Sequence, residues 1–307
     1  MDWNSSYIEQ LIAGALAEDV GPGDVTVAAT IPAKARGQAH IVAKQDLICC
    51  GLPLAEKVFR ALDLQMKTEL RAADSQRVVK GADILHLDGK ASAILTGERT
   101  ALNFLGRMSG IATFTHLFVR QIAGTRAQIR DTRKTTPGLR SLEKYAVKMG
   151  GGTNHRIGLF DAILLKENHI ALAGGVKAAL DQAHSYVSSR MKPRSMTAYE
   201  AVGTTPSEAE ASSLSIQIEV RNESELQKAL SAGAEAVLLD NMSPEQAREC
   251  VQIVRATRPD CIVEISGGIT LANVRAYAET GADYLSSGAL THSAPNADLS
   301  LLVDKLE

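Results

Sequence analysis

The sequence predicts an α/β protein whose second half is a run of parallel strands joined by crossover helices. Six short apolar segments in that half each end in a polar residue or a glycine, and helical segments separate most of them. The last four polar ends lie 21, 26 and 21 residues apart, at Glu219, Asp240, Ser266 and Ser287. A βα unit needs about this much chain, so we expect neighbouring strands to pair in parallel.

This regular spacing favours a closed or nearly closed barrel over the alternative, an open doubly wound sheet. Polar residues gather at the carboxyl ends of the predicted strands, where barrels place their active sites. The six predicted strands lie within residues 127–132, 161–166, 216–220, 236–240, 261–266 and 283–288.

The first hundred residues predict a region of mixed α and β structure. A helix at about 5–19 ends at the loop VGPGDVT, and the strand-like runs, helical spacing and alternating pattern that follow lie at 38–43, 47–50, 53–62 and 78–87. From 93 to 124, apolar residues recur at steps of three and four, which predicts a connecting helix broken near Ser109 and Gly110.

One interval departs from the spacing of the second half. Residues 185–215 contain 11 Ser or Thr among 31 residues and few bulky apolar side chains. Such a composition predicts a surface excursion between a helix at 175–184 and the next strand.

Composition excludes several functional classes. The 33 Lys and Arg against 35 Asp and Glu give a net charge of -2, which argues against a nucleic-acid-binding protein. No apolar run approaches the roughly 18 residues of a spanning helix, and no basic residues precede the N-terminal apolar run, so we predict neither a membrane partner nor secretion. The four cysteines form no CxxC pair, so we expect buried, reduced thiols in a cytoplasmic protein.

Residues 129–170 concentrate basic side chains around two predicted strand ends and a triple glycine. Taken singly, each has an ordinary explanation as a solvated charge or a structural histidine. Lys166 differs because it ends the apolar run AILL, where a lysine is costly to bury without a partner. Together they predict an anion site, and arginine forks match carboxylates and phosphates. The basic residues are Arg133, Lys134, Arg140, His155, Arg156 and Lys166.

Acidic residues end or interrupt the later strands. Alternation along the strands points Glu219 and Asp240 into one cavity, and it places Glu264 and Ser266 on a shared face. The acids either pair with the lysines or hold a Mg²⁺ ion that binds a polyphosphate. Glycine-rich segments at 266–269 and 286–290 offer bare backbone N–H groups, as phosphate-binding loops of barrels do.

Four blocks of sequence closely resemble the quinolinate phosphoribosyltransferase family. They are LTGERTALNFLGRMSGIAT, DTRKTTPGLR, the KYAV to KENHI run, and LLDN followed by EISGGI, and EDVGPGDVT near the N-terminus fits the same family. The resemblance implies an N-terminal α/β sandwich domain over 1–113 and an incomplete, TIM-like six-stranded α/β barrel over 114–289, with residues from about 290 to 307 packing back onto the first domain.

The resemblance also implies a reaction and the residues that serve it. Quinolinate and phosphoribosyl pyrophosphate give nicotinate mononucleotide, pyrophosphate and CO₂, with Mg²⁺, in de novo NAD biosynthesis. The predicted catalytic residues are Lys134, Lys166, Glu219 and Asp240. Quinolinate contacts fall on Arg99, Arg133, Lys134, His155, Arg156 and Lys166, with Thr132 of the same block as a further substrate contact. Mg²⁺ and the ribose hydroxyls fall on Glu219 and Asp240, directly or through water or substrate. Phosphate contacts fall on Ser266, Gly267, Gly268, Ser287, Gly288 and Ala289. The family works as a homodimer in which the Arg99 block enters the partner's site.

Two other interpretations stay open on the sequence. A related phosphoribosyltransferase could act on another pyridine such as nicotinate, or be a molybdenum-associated paralogue. Nicotinate has one carboxylate and does not need all of Arg99, Arg133, Arg156 and Lys166. A non-enzymatic binding or regulatory protein on the same barrel predicts the loss of an acid or a phosphate loop, and none is missing from this sequence.

Overall fold

The computed structural model describes residues 1–189 and 214–306, so most of the predicted excursion at 185–215 lies outside the described residues. The N-terminal elements are α1 (Ser6–Val20), α2 (Val25–Thr30), β1 (Arg36–Ala43), β2 (Leu47–Ile48), α3 (Leu52–Leu62), β3 (Lys67–Leu70), β4 (Arg77–Val78) and β5 (Asp83–Lys90). These bounds confirm the predicted mixture of helices and strands in the first hundred residues.

The second half alternates strands and helices after a long connecting helix. Its elements are α4 (Ala91–Gln121), β6 (Gln128–Arg130), α5 (Arg140–Met149), β7 (Ile163–Leu165), α6 (Glu167–Leu172), α7 (Val176–Ser189), β8 (Ile216–Val220), α8 (Glu223–Ser231), β9 (Ala236–Asp240), α9 (Pro244–Thr257), β10 (Ile262–Ser266), α10 (Val274–Ala278), β11 (Tyr284–Ser286), α11 (Ala289–His292) and β12 (Leu299–Leu306). All six predicted strands form. Helix α7 continues to Ser189, so the first residues of the predicted excursion are helical instead of irregular.

The six strands of the second half form one parallel sheet in the order β6-β11-β10-β9-β8-β7. Strand β6, the first of the six along the chain, pairs with β11, the last, and this pairing curls the sheet into a barrel. No ladder joins β6 to β7 within the described residues. An open doubly wound sheet would not bring β6 beside β11, so the predicted incomplete barrel is confirmed. The free edge of β6 instead forms a parallel bridge between Arg130 and Thr153.

The outward face of the barrel strands is apolar and packs under the helices. Ile218, Val237, Leu239, Val263 and Ile265 on this face are all buried. Burial of such side chains is the main source of stability in a domain of this kind, at roughly 25 cal/mol per Å² of apolar surface. The alternation of strand residues therefore leaves the other face of each strand for the barrel interior.

Helix α4 runs without interruption from Ala91 to Gln121, so the predicted break near Ser109 and Gly110 is wrong. Both residues are small because neighbouring chain approaches the helix there. The Ser109 hydroxyl donates to the Cys50 carbonyl at 3.1 Å and accepts from the Cys50 N–H at 3.0 Å. A Cβ on Gly110 would lie 2.1 Å from the Pro295 carbonyl oxygen. The pair is a packing surface, and the helical hydrogen bonds continue through it.

A four-stranded antiparallel sheet in the order β12-β1-β5-β3 forms the N-terminal half of the molecule. Strand β12, which follows the barrel in sequence, pairs with β1 from Gly37 to Ala43. Helix α4 connects the two sheets, and the boundary expected at residue 113 falls within that helix.

The four cysteines are free and buried, as the sequence predicts. Burial raises the pKa of the Cys49 thiol to about 12, which keeps it protonated and unreactive. Among the helices of the described residues, none combines the length and the apolar composition that crossing a membrane requires.

Candidate active site

The barrel strands place polar side chains on the interior face, towards the carboxyl ends of the strands, which we call the mouth of the barrel. Glu219 is opposite Leu238, which in turn is opposite Glu264. Asp240, two residues after Leu238, lies on the same face as Glu219, as the sequence predicts. Barrel interiors are more often filled with branched apolar side chains. The polar residues on this face are Arg130, Gln217, Glu219, Asp240, Glu264, Ser266 and Ser286.

Glu264 is the centre of a buried cluster inside the barrel. Its carboxylate, which is fully buried, accepts hydrogen bonds from Arg130 Nη1 at 2.9 Å, from Gln217 Nε2 at 3.0 Å and from the Ser286 hydroxyl. The Arg130 guanidinium also stacks on the ring of Tyr284, with Cζ 3.3 Å from the ring centroid. A buried carboxylate is tolerated only when it is paired and hydrogen-bonded, and Glu264 meets both conditions.

The imidazole of His155 reaches this cluster from the segment beside β6. Its Nε2 lies 3.1 Å from Gln217 Oε1 and 3.5 Å from Glu264 Oε1. Its Nδ1 lies 2.7 Å from the backbone nitrogen of Arg156. Burial lowers the pKa of His155, and the nearby Glu264 carboxylate only partly opposes this effect.

A buried ion pair between Asp131 and Lys144 joins the end of β6 to the segment that contains His155. Lys144 Nζ lies 2.5 Å from Asp131 Oδ1 and donates to the His155 carbonyl at 2.9 Å. Asp131 Oδ1 also accepts the His155 N–H at 2.8 Å. Burial raises the pKa of Asp131 to about 6 even though Lys144 opposes the shift. The pair therefore fixes the backbone at His155 relative to the end of β6.

We expect Lys144→Met to lower the free energy of unfolding by about 3–5 kcal/mol, because it leaves the Asp131 carboxylate buried without its cation. Denaturation by urea at neutral pH measures this difference. Lys148→Met is the matched control, since Lys148 is exposed on the same helix and its loss should cost little. Equal unfolding free energies for the two variants would contradict the role of the pair.

A second buried carboxylate, that of Glu143, fixes the loop that follows β6. Its Oε1 accepts from Arg107 Nη2 at 2.7 Å and from the Thr136 hydroxyl at 2.8 Å, and its Oε2 accepts the Thr136 N–H at 3.0 Å. The Tyr7 hydroxyl donates to the Gly138 carbonyl in the same loop at 2.7 Å. The loop is thus held from α4, α5 and α1 at once.

Two arginines predicted for the site, Arg133 and Arg156, lie close to each other at the mouth. Burial lowers the pKa of Arg156, and the positive charge of Arg133 adds to this effect. The Nε atom of each is buried and has no hydrogen-bond partner among the described residues. Arg156 Nη1 donates to the Ala162 carbonyl at 3.1 Å, which orients the guanidinium. Two adjacent cations with unsatisfied N–H groups form a site for an anion.

The glycine loops after β10 and β11 also lie at the mouth. Gly267 has φ +97°, and a Cβ there would lie 2.2 Å from Asn241 Oδ1, so the loop needs glycine. The Ser287 hydroxyl donates to the Ile269 carbonyl at 2.7 Å, which ties the two loops together. The other predicted residues of these loops are Ser266, Gly268, Gly288 and Ala289.

Lys134 lies in the loop that follows β6, beside the glycine loop that follows β11. Its side chain packs against Gly288, and its carbonyl accepts from the Thr291 hydroxyl at 2.7 Å. Its backbone N–H donates to the Thr132 hydroxyl at 3.0 Å. The exposed amine of Lys134 can therefore serve an anion held by either loop.

Lys166 Nζ lies 3.0 Å from Glu219 Oε2, across neighbouring strands β7 and β8. The expectation that Lys166 is buried is wrong, because its side chain is 50% exposed and residues 163–165 are themselves only partly buried. The lysine begins α6 as its N-cap and reaches back over the sheet. On β9, the Asp240 carboxylate accepts from Asn241 Nδ2 at 2.8 Å.

Glu219 and Asp240 present the oxygen ligands that Mg²⁺ prefers, from diagonal positions on adjacent strands. Among the residues that the structure describes, no three His, Cys, Asp or Glu side chains are grouped closely enough to hold a metal by themselves. Mg²⁺ usually takes one or two carboxylates and completes its shell with water and substrate phosphates. The two acids fit that mode of binding, and they do not fit a cage made by protein alone.

Arg99 is the predicted site residue that lies apart. It is exposed near the N-terminal end of α4 and makes no ion pair within the described parts of the chain. Its neighbours Thr96 and Thr100 donate to Asp24 and Asp19, at 3.1 and 3.5 Å, on the side of α1 and α2. The structure thus places the other predicted residues on the barrel strands and the loops beside them, and it leaves Arg99 apart from them, exposed on α4.

The buried supports of the site are the residues that sequence reasoning misses. All are charged, and for Glu264 its place within the apolar run CIVEIS is a signal that could have found it. The sequence places Glu264 on a face without a role, and it does not single out Arg107, Arg130, Asp131, Glu143 or Lys144.

Family models match nearly the whole chain. The model of the quinolinate phosphoribosyl transferase N-terminal domain matches residues 24–109, and that of the C-terminal domain matches 111–197 and 195–302. A probable nicotinate-nucleotide pyrophosphorylase (carboxylating) of Synechocystis is 38% identical, over 94% of this chain and 90% of the relative. Its counterpart in Bacillus subtilis is 37% identical over 97% and 94%.

Solved structures agree with these sequence matches. The nicotinate-nucleotide pyrophosphorylase of Francisella tularensis has a TM-score of 0.85 and 37% identity, covering 97% of this chain and 96% of that one. The enzyme of Ehrlichia chaffeensis has a TM-score of 0.83 and 34% identity, covering 96% and 98%. With matching domain models, relatives above 30% identity along almost the whole length and the same fold, the chain belongs to the quinolinate phosphoribosyltransferase family.

Proposed function

We propose that the mouth of the barrel is the active site of a quinolinate phosphoribosyltransferase (decarboxylating). Relatives 37% identical to this chain carry that name, among them one from Nicotiana tabacum. The observation that carries the proposal is the pair Arg133 and Arg156, whose buried Nε groups have no hydrogen-bond partner among the residues that the structure describes. Quinolinate bears two adjacent carboxylates, and two neighbouring guanidiniums can receive them.

The chemistry needs positioning and charge stabilisation more than proton transfer. The ring nitrogen of quinolinate already has a lone pair, which forms the new bond to C1 of the ribose while the bond from C1 to the pyrophosphate oxygen breaks. The carbon–carbon bond to the 2-carboxylate then breaks, and CO₂ leaves. The electron pair of the broken carbon–carbon bond stays on the ring carbon beside the cationic nitrogen, and this carbon then takes a proton. A clamp on both carboxylates holds the ring nitrogen against C1.

The sugar donor is assigned to the other side of the mouth. The loops around Gly267 and Gly288 offer backbone N–H groups to its phosphates. Lys134, packed against Gly288, and Lys166, beside Glu219, are assigned to quinolinate, and their amines can also offset the negative charge that grows on the departing pyrophosphate. Glu219 and Asp240 are suited to the ribose hydroxyls as well as to a metal ion.

We assign Mg²⁺ to Glu219 and Asp240, directly or through water. Enzymes that transfer phosphoribosyl groups generally use a divalent metal, and two carboxylates on one face of the sheet suit Mg²⁺. When bound, the ion offsets the charge of the pyrophosphate.

We further propose a homodimer in which Arg99 serves the partner's site. Its exposure and its lack of an ion pair within the described chain support this assignment. The division at residue 113 and a cytoplasmic location are part of the same proposal, and four reduced, buried cysteines agree with a reducing compartment.

Incubation of the protein with quinolinate, phosphoribosyl pyrophosphate and Mg²⁺ should release CO₂ and nicotinate mononucleotide in equal amounts. Quinolinate alone should raise Tm, because a ligand at 100 times its Kd adds about 2.7 kcal/mol to the stability. Nicotinate, which lacks the second carboxylate, is the matched control and should raise Tm much less. Faster turnover of nicotinate than of quinolinate would instead favour the alternative of a phosphoribosyltransferase for another pyridine.

A further inference from the structure

The buried cluster inside the barrel has a fixed direction of hydrogen bonding. The Glu264 carboxylate can only accept, and it receives the amide nitrogen of Gln217. That contact turns Gln217 Oε1 towards His155, at 3.1 Å from Nε2. Because an amide oxygen can only accept, the proton of the imidazole is on Nε2.

The other ring nitrogen of His155 is also in use. A backbone N–H can only donate, so Nδ1 accepts from the Arg156 nitrogen, 2.7 Å away, through its lone pair. A proton on Nδ1 would face that N–H directly. The charged groups around the ring are Glu264 from β10, Arg130 from β6 and Lys144 from α5. The imidazole is therefore the neutral Nε2–H tautomer, with both nitrogens bonded to protein.

We propose that Glu264, Gln217 and His155 form a positioning chain that sets the backbone of Arg156 and hence its guanidinium at the mouth of the barrel. His155 then supports the quinolinate clamp through the Arg156 backbone, and because both of its ring nitrogens bond to protein it does not transfer a proton in the reaction. The functional part of this inference rests on the proposed function, because it treats Arg156 as a quinolinate ligand. The state of the ring does not depend on that function.

The ring state can be measured without any turnover. In full-length protein with ¹⁵N-labelled histidine rings, the His155 signals are the ones lost in His155→Gln. They should show a protonated Nε2 and a bare Nδ1, unchanged between about pH 6 and 8, across the ordinary range of histidine titration. A proton on Nδ1, or titration within this range, would overturn the proposal even if the enzyme converts quinolinate.

Kinetics test the chain by changing Glu264 and Gln217 one at a time. In Glu264→Gln the amide of Gln217 loses its fixed orientation, and in Gln217→Glu two carboxylates meet. Each single variant should raise KM for quinolinate about tenfold, the worth of one good hydrogen bond, with little change in KM for the sugar donor.

His86→Gln is the matched control, since His86 lies in the N-terminal sheet with a side chain 35% exposed. It should leave both KM values unchanged. Equal rises in both KM values would show that the cluster only fills the barrel, and an unchanged KM for quinolinate in both variants would show that the cluster does not position Arg156. Absence of all activity with quinolinate would overturn the proposed function, while the ring signals would still decide the tautomer.

Discussion

Mixing inactive Arg99→Ala subunits with inactive Glu219→Ala subunits is expected to restore about a quarter of wild-type activity. Arg107, eight residues after Arg99 on α4, contacts Glu143, which holds the loop that follows β6. At 1.5 Å per residue, Arg99 lies about 12 Å further along the helix axis, where it is exposed. If it enters the partner's site, one site of each mixed dimer carries both defects and the other carries none.

The quarter follows from random pairing, in which about half the dimers are mixed and half of their sites are intact. Activity is measured after exchange of subunits under mild denaturant and its removal, and each variant treated alone is the control. If Arg99 served its own subunit, every site would contain one defect and mixing would restore nothing. That result would remove the shared site from the proposal and leave the reaction unaffected.

Lys166→Ala should lower kcat by about 10²- to 10³-fold, the usual cost of losing one group that stabilises transition-state charge. The substitution should change the stability of the fold little. The lysine is half exposed, and its ion pair with Glu219 resembles a surface pair, which is worth about 0–1 kcal/mol. Initial rates with saturating substrates and a thermal melt of the same preparation measure the two effects.

Lys177→Ala provides the matched comparison. Lys177 belongs to the same half of the chain and pairs with Asp181 at 2.6 Å, with its side chain 77% exposed. Its removal should change neither rate nor Tm. Activity of Lys166→Ala within a few-fold of the wild type, or a melting temperature far below that of Lys177→Ala, would contradict the catalytic role of Lys166.

The spacing of the apolar runs predicts the barrel strands, and the common face of Glu219 and Asp240 is predicted by the alternation of residues along each strand. It works because the outward face must be apolar to pack under the helices, so that polar residues remain for the interior. The same local logic fails at Ser109 and Gly110. A helix breaks there on propensity alone, but contacts with Cys50 and Pro295, distant in sequence, explain why the two residues are small.

The buried supports lay beyond sequence reasoning for a related reason. The Glu264 carboxylate accepts hydrogen bonds from side chains on β6, β8 and β11, and these contacts are visible only once the barrel brings the three strands around one interior. For Lys166 the error is the opposite one. The apolar run before the lysine suggested that it is buried, but residues 163–165, at the edge of the sheet, are themselves only partly buried. Periodicity indicates which face of a strand a residue occupies, but it does not indicate how deeply that residue is buried.

The pairing of β12 with β1 makes the N-terminal sheet depend on a strand that is synthesised after the barrel. On the ribosome, β1 can pair with β5 early, but its other edge stays open until residues 299–306 emerge. Unpaired strand edges invite association with other chains, so the nascent N-terminal half is exposed to aggregation while the whole barrel is being made. The N-terminal sheet therefore cannot be completed until the barrel strands have been synthesised.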